Sequence, residues 1–204
     1  IWAAGKTGFG ASREQTAAEL ATFDAFTQVV RACCDHSART AVVTHVTSSA
    51  GGLYDGLRCV RRDSPVSIQR PYGELKFAQE ELARHRLGPN GLHIYRPSSV
   101  YGLIRPGRRI GLVSALVSNT LRHLTTPVTG RFDTMRDYVW AEDIAEYVVD
   151  RVLEDEPDAY SVSIMASGQP TSIDEMRTIV QRATRLRAYI RCMMNASNAS
   201  HITF

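Results

Sequence analysis

Lysine is almost missing from this chain: Lys6 and Lys76 are the only two among 204 residues whose other basic side chains are arginines. Long apolar runs are missing as well, so no stretch reads as a bilayer span. The first residues also lack the charged, apolar, small order of a secretory leader. A soluble cytoplasmic protein with no membrane contact is therefore the expectation. The cysteines, Cys33, Cys34, Cys59 and Cys192, show no CxxC spacing and no histidine at zinc-ligand distance, so they read as reduced thiols and no metal is expected. Only one aromatic, Tyr189, falls among the late arginines, Arg177, Arg182, Arg185, Arg187 and Arg191. With a net charge of only +3, that stretch reads as a solvated or phosphate-facing edge, and no nucleic-acid partner is expected. Internal repeats and low-complexity tracts are absent.

What is present suits one α/β domain over residues 1–204, with a 44% hydrophobic share large enough for a core and a possible small lobe. IWAAG reads as the end of a buried strand entering a glycine turn. Apolar residues then recur at spacings of three and four, which predicts a helix from about Ser12 to Ala38, capped by Ser12 with Gln15 three residues on. AVVTHVTSS, residues 41–49, is β-branched, brief and ended by AGG, as a strand should be. A helix is predicted from Pro71 to about His85, since proline suits a first turn. Next come a strand and loop over residues 92–102, an apolar helix over 110–124, an extended piece leading into a helix near Ala141, and a strand over 160–167. GQP then turns into a helix capped by Ser172 with Glu175. Strands alternating with helices predict a parallel, doubly wound sheet.

Four stretches could carry chemistry. In PYGELK (71–76), Tyr72 and Lys76 are four apart, so they share a helix face. An ammonium beside a phenol favours the phenolate, a form able to accept and return a proton near neutrality. Arginine could supply charge there, but lysine's compact ammonium can also reach sugar hydroxyls. In TSSAGGLY (47–54), hydroxyls at the carboxyl end of a parallel strand would face the ligand crevice; the alternative is that Ser48 and Ser49 only satisfy turn amides. RPSSVYG (96–102) is again strand then loop. In MRDYVWAEDIA, Arg136 could fork onto a phosphate or serve as ordinary surface charge, and Asp143 suits the first turn of a helix.

In this order and at these separations, TSSAGGLY, PYGELK, RPSSVYG and RDYVWAEDIA resemble the extended short-chain dehydrogenases/reductases, in particular the NAD-dependent epimerase/dehydratase group that acts on nucleotide sugars. The resemblance implies a Rossmann-like fold, partial here, with a remnant of a smaller substrate lobe. It implies that residues 103–140 and 168–204 contribute to the substrate side. Tyr72 would be the acid/base. Lys76 would lower its pKa and hold the nicotinamide ribose. Ser49, with Ser48 as close competitor, would orient the reacting oxygen. Ala3, Ala4 and Gly5 of IWAAG would pass beside NAD or NADP, with Arg96, Pro97 and Ser99 near its nicotinamide end. Ala50 and Ser99 would line the substrate, and Arg136 would clamp its diphosphate. A homodimer is implied by analogy.

The departures narrow this. Dehydratases of the group carry an Asp-Glu pair after the catalytic hydroxyl where this chain has Ala50 and Gly51, which favours an epimerase or a ketoreductase over a 4,6-dehydratase. The group's leading strand and GxxGxxG turn do not occur before IWAAG, and GKTGFG (5–10) is not at the right offset to replace them. A sequence beginning in mid-strand at Ile1 therefore reads as lacking the leading part. Two other readings stand beside the enzyme: a non-catalytic Rossmann-like binding module, and a relative acting on a small carbonyl compound or a sterol.

Overall fold

The computed structural model describes residues 1–3, 5–36, 42–88, 91–102, 111–154, 160–193 and 202–204. In chain order the elements are α1 (Arg13–His36), β1 (Thr44–Thr47), α2 (Ala50–Leu53), α3 (Pro71–Leu87), β2 (Leu92–Pro97), β3 (Ser99–Tyr101), α4 (Leu112–Leu121), β4 (Thr126–Thr129), β5 (Met135–Trp140), α5 (Ala141–Glu154), β6 (Tyr160–Met165), β7 (Pro170–Ser172), α6 (Ile173–Thr184) and β8 (Ile190–Met193). They group into two compact units. The first holds Ile1–Asp55, Pro65–Pro97 and Ala145–Met165; the second holds Gly56–Ser64, Ser98–Ile144 and Ala166–Phe204.

The first unit is built on a parallel sheet of order β1-β2-β6, and Trp2 bridges to Val46 in the same sense. Side chains alternate across each strand, so Val46, Leu92 and Ile94 point to one face. There they pack with Trp2, Phe23 and Ala83 in one core cluster. On the other face His45 stacks on His93, His45 Nδ1 lies 2.8 Å from the Tyr95 hydroxyl, and His93 Nδ1 lies 2.7 Å from Ser161 Oγ. A polar layer this deep is tolerated because its members satisfy one another.

Local signals explain the helices. Ser12 Oγ accepts from the Gln15 amide at 3.2 Å and Gln15 Oε1 accepts from the Ser12 amide at 3.0 Å, a reciprocal cap that starts α1. Thr16, Glu19, Phe23 and Thr27 form its buried stripe. Pro71 opens α3 at its first position. Ser172 and Glu175 cap α6 in the same reciprocal way.

Some boundaries differ from expectation. The strand expected over 41–49 is paired only from Thr44 to Thr47, and residue 41 lies outside the described residues. AGG does not end a strand in a loop: Ser49 caps a one-turn helix, α2, that sequence periodicity cannot reveal in four residues. The helix expected over 110–124 spans Leu112–Leu121, because His123 adopts a left-handed φ of 58° and the Leu124 amide turns back to the Asn119 carbonyl at 2.8 Å. Residues 37–38 and 110, at the ends of two expected helices, are outside the described residues.

In the second unit β5 pairs in parallel with β3 and antiparallel with β7, while β4 pairs in parallel with β8. The stretch after Arg185, for which no element was expected, thus supplies a strand. Leu116, Tyr138, Met176, Val180 and Ala188 form this unit's core cluster.

Candidate active site

The end of β1 and the start of α3 meet across two glycines. A Cβ on Gly73 would lie 2.4 Å from the Gly52 carbonyl oxygen, so α3 can sit this close to α2 only with glycine there. A Cβ on Gly52 would lie 3.1 Å from the Tyr72 ring and 3.5 Å from Ser49 Oγ. The half-buried Tyr72 ring and the end of TSSAGG are therefore neighbours around one bare backbone position. Phe9 completes the wall: its ring centre is 5.2 Å from that of Tyr72, and a Cβ on Gly51 would meet it at 2.9 Å.

The two serines play different parts. Ser49 Oγ accepts from the Gly52 amide at 3.2 Å, the N-cap bond of α2. Ser48 is fixed through its amide, which donates to the Tyr95 carbonyl at 2.7 Å, but its buried Oγ has no partner among the described residues. A buried hydroxyl without a partner is costly unless something else fills the place. Ala50 is fully buried at the start of α2.

Lys76 is buried, 5.5 Å from the Tyr72 ring centre. Its Nζ donates to Glu19 Oε1 at 3.0 Å and to Gln79 Oε1 at 2.9 Å. An ammonium has three donors, so one remains beyond these bonds. Glu19 Oε2 in turn accepts from the Lys6 and Thr7 amides at 2.8 and 2.7 Å. Burial pushes the Glu19 carboxyl up, but the Thr7 amide, the charge and hydrogen bond of Lys76 and the Lys6 amide outweigh it and hold the pKa at about 2. Gly5 lies against this pair, where a Cβ would be 3.6 Å from Lys76 Nζ.

Arg96, expected near a cofactor, is engaged by protein: Nε and Nη2 donate to Glu80 at 3.0 and 2.6 Å, and Nη1 donates to the Tyr54 hydroxyl at 2.7 Å. It ties β2 to α3 and to the residue after α2. Pro97 ends β2, Ala3 is exposed beside Trp2, and Ala4 lies outside the described residues. Ser99, at the start of β3, and Arg136, in β5 with Nη1 donating to the Met135 carbonyl at 2.9 Å, belong to the second unit. Asp143 is exposed in the first turn of α5.

Sequence reasoning passed over Glu19, Gln79, Phe9 and Asp137. Glu19 left a signal, a carboxylate in the stripe Thr16–Phe23–Thr27 that the helix buries, which requires a buried partner. Asp137 is buried in the second unit and accepts from Ser98 Oγ at 2.8 Å, from the Ser167 amide and hydroxyl at 2.9 Å each, and from the Gln169 amide at 3.2 Å. It pins the turns on either side of β5.

A model of the NAD dependent epimerase/dehydratase family matches residues 1–163. The dTDP-L-rhamnose 4-epimerase of Burkholderia thailandensis is 32% identical over 123 residues, which are 57% of this chain and 32% of that protein. The solved structure of TunA, an NAD-dependent NDP-hexosamine 5,6-dehydratase involved in tunicamycin biosynthesis, overlays with a TM-score of 0.75 at 24% identity, over 98% of this chain and 65% of its own. MoeE5 in complex with UDP-glucuronic acid and NAD overlays with a TM-score of 0.72 at 23% identity, over 87% of this chain and 59% of its own. The chain thus spans less than two thirds of the length of these proteins, and the structural likeness speaks for the Rossmann fold. With the family model matching from Ile1 into β6, the chain belongs to the NAD dependent epimerase/dehydratase family.

Proposed function

We propose that this chain carries the proton-transfer part of an NAD(P)-dependent epimerase or ketoreductase acting on a nucleotide sugar, with Tyr72 as acid/base. The observation that carries the reading is the meeting of Tyr72 and Ser49 around Gly52, with Lys76 5.5 Å from the Tyr72 ring centre. Two features fit a bound nicotinamide ribose and a sugar hydroxyl: the remaining donor of Lys76 beside the bare Gly5, and the partnerless Oγ of Ser48. When bound, NAD would take up a hydride from a sugar carbon and return it.

The chain's own residues would manage the proton. As the carbon–hydrogen electron pair leaves, the Tyr72 phenolate takes the proton of the hydroxyl on that carbon, and a ketone results. Tyr72 then returns the proton as the carbon–hydrogen bond reforms, on the opposite face for epimerisation. Ser49, whose Oγ accepts the α2 cap bond and keeps its own proton to donate, or Ser48, whose Oγ has no partner among the described residues, would hold the reacting oxygen. Phe9 and Gly51 would keep water from one side of the phenol. Arg136 would hold the diphosphate in the second unit.

The test is a fluorescence titration of NADH with the 204-residue chain, followed by incubation with NAD and a panel of UDP- and dTDP-sugars, reading reduced nicotinamide and sugar stereochemistry by NMR. Saturable NADH binding with a changed sugar supports the reading. NADH binding with no change in any sugar favours a non-catalytic binding module, and no NADH binding overturns both.

A further inference from the structure

We propose that Glu19 is a positioning residue for the Tyr72–Lys76 pair: one carboxylate oxygen holds the Lys76 ammonium, the other holds the Lys6–Thr7 turn, and its charge limits how strongly Lys76 favours the Tyr72 phenolate. This rests on the reading of Tyr72 and Lys76 given above. The side chains of Lys76 and Glu19 are 5% and 3% exposed, so water screens their charges little. Tyr72 therefore meets an ion pair rather than a bare ammonium, and the phenol feels the difference between the two charges.

Three other charged groups on the neighbouring elements, Arg70, Glu74 and Glu80, have opposite partners. Arg70 pairs with Asp55 at 2.6 Å and lies over Phe9, Glu74 meets Arg13 at 3.4 Å, and Glu80 holds Arg96 at 2.6 Å. Lys6 meets Glu19 through its backbone amide. Glu19 is thus the carboxylate that acts directly on Lys76, and at a pKa of about 2 it stays ionised wherever a phenol titrates.

The double role requires a carboxylate. A glutamine in this place has one acceptor oxygen, so its NH2 group would face either the ammonium or the two turn amides. The carboxylate consequently couples the turn that follows Gly5 to the lysine. A ligand that moves the turn would change the charge felt by Tyr72, and protonation of Tyr72 would be linked to ligand binding beside Gly5.

The experiment is an NMR pH titration of the 204-residue chain labelled at the tyrosine Cζ, with amide hydrogen exchange read at Lys6 and Thr7. Glu19→Gln is expected to lower the Tyr72 transition by about one pH unit, the effect of one unit charge at this range with an effective dielectric near 20. It should also speed exchange at both amides about tenfold. Glu19→Asp keeps the charge, so it should leave the Tyr72 transition within about 0.3 pH unit while still loosening the turn. The Cζ shifts of Tyr95 and Tyr138 should stay unchanged as a fold control.

Lys76→Met tests the underlying reading separately and should raise the Tyr72 transition. If it does not, the proton-transfer reading fails. If it does and Glu19→Gln leaves Tyr72 unmoved, the positioning role alone fails. If Glu19→Gln does not fold, Glu19→Asp decides: faster exchange with an unmoved Tyr72 supports the role, and a drop of a full unit despite the retained charge overturns it.

Discussion

Gly73→Ala sets two physical effects of opposite sign against each other. Gly73 is the third residue of α3, and replacing a helical glycine by alanine ordinarily stabilises by about 0.5–1 kcal/mol. Here the new methyl would stand 2.4 Å from the Gly52 carbonyl oxygen and 3.1 Å from Ile68 Cγ2. The first is backbone, so α2 and α3 must separate by roughly an ångström, and overpacking of this kind costs about 1–3 kcal/mol. The clash wins on these magnitudes, with a net loss of about 1–2 kcal/mol, or about 2–8 °C in Tm for a chain of this length. Urea unfolding should show a lower midpoint with an unchanged m value. Gly10→Ala, which meets nothing within 4 Å, is the control and should stay within about 0.5 kcal/mol of the parent. A Gly73→Ala chain as stable as the parent, or more so, would refute the close approach of α2 to α3 and with it the placing of Tyr72 beside Ser49.

Other outcomes follow from buried charge. Burial first, then the charge of His93, the chain's amino terminus and Arg151, lower His45 to about 4 from its ordinary 6.5. The unfolded chain therefore binds a proton that the folded chain refuses, and stability falls as pH drops from about 6.5 to 4, by a total on the order of 3 kcal/mol. Glu19, held at about 2, extends the loss in the same direction from about 4.5 down to 2. Urea midpoints measured across this range should fall continuously, and His45→Gln should flatten the upper part. Glu80→Gln would leave the Arg96 guanidinium without its bidentate partner, and with side chains 14% and 5% exposed the cost should be about 3 kcal/mol in the same assay.

Features set by neighbours a few residues apart could be read in the sequence. The reciprocal caps at Ser12–Gln15 and Ser172–Glu175 and the proline start of α3 are local, and so those helices were legible. The parallel β1-β2-β6 sheet followed from its β-branched runs and intervening helices. What escaped depends on partners far apart in the chain. α2 holds its turn through the Ser49 cap and the close pass of Gly73, neither of which has a periodic signature. β8 exists because β4 offers an edge more than sixty residues earlier. Within the site, the Tyr72–Lys76 spacing was visible, while the carboxylate that holds Lys76 stands 57 residues away on another helix. Ser48 and Ser49 look alike in the sequence, and only the fold shows that Ser49 Oγ accepts the Gly52 amide while Ser48 Oγ has no partner among the described residues.

The central claim, that Tyr72 moves the proton, is tested most directly by Tyr72→Phe in a chain that converts a nucleotide sugar. Removing one hydroxyl from a half-buried ring leaves the packing against Phe9 and Gly52 in place. A fall in kcat of about 10²–10⁴-fold, with NADH affinity within about twofold of the parent, is the expected result. Turnover equal to the parent's, with the fold intact, would contradict it.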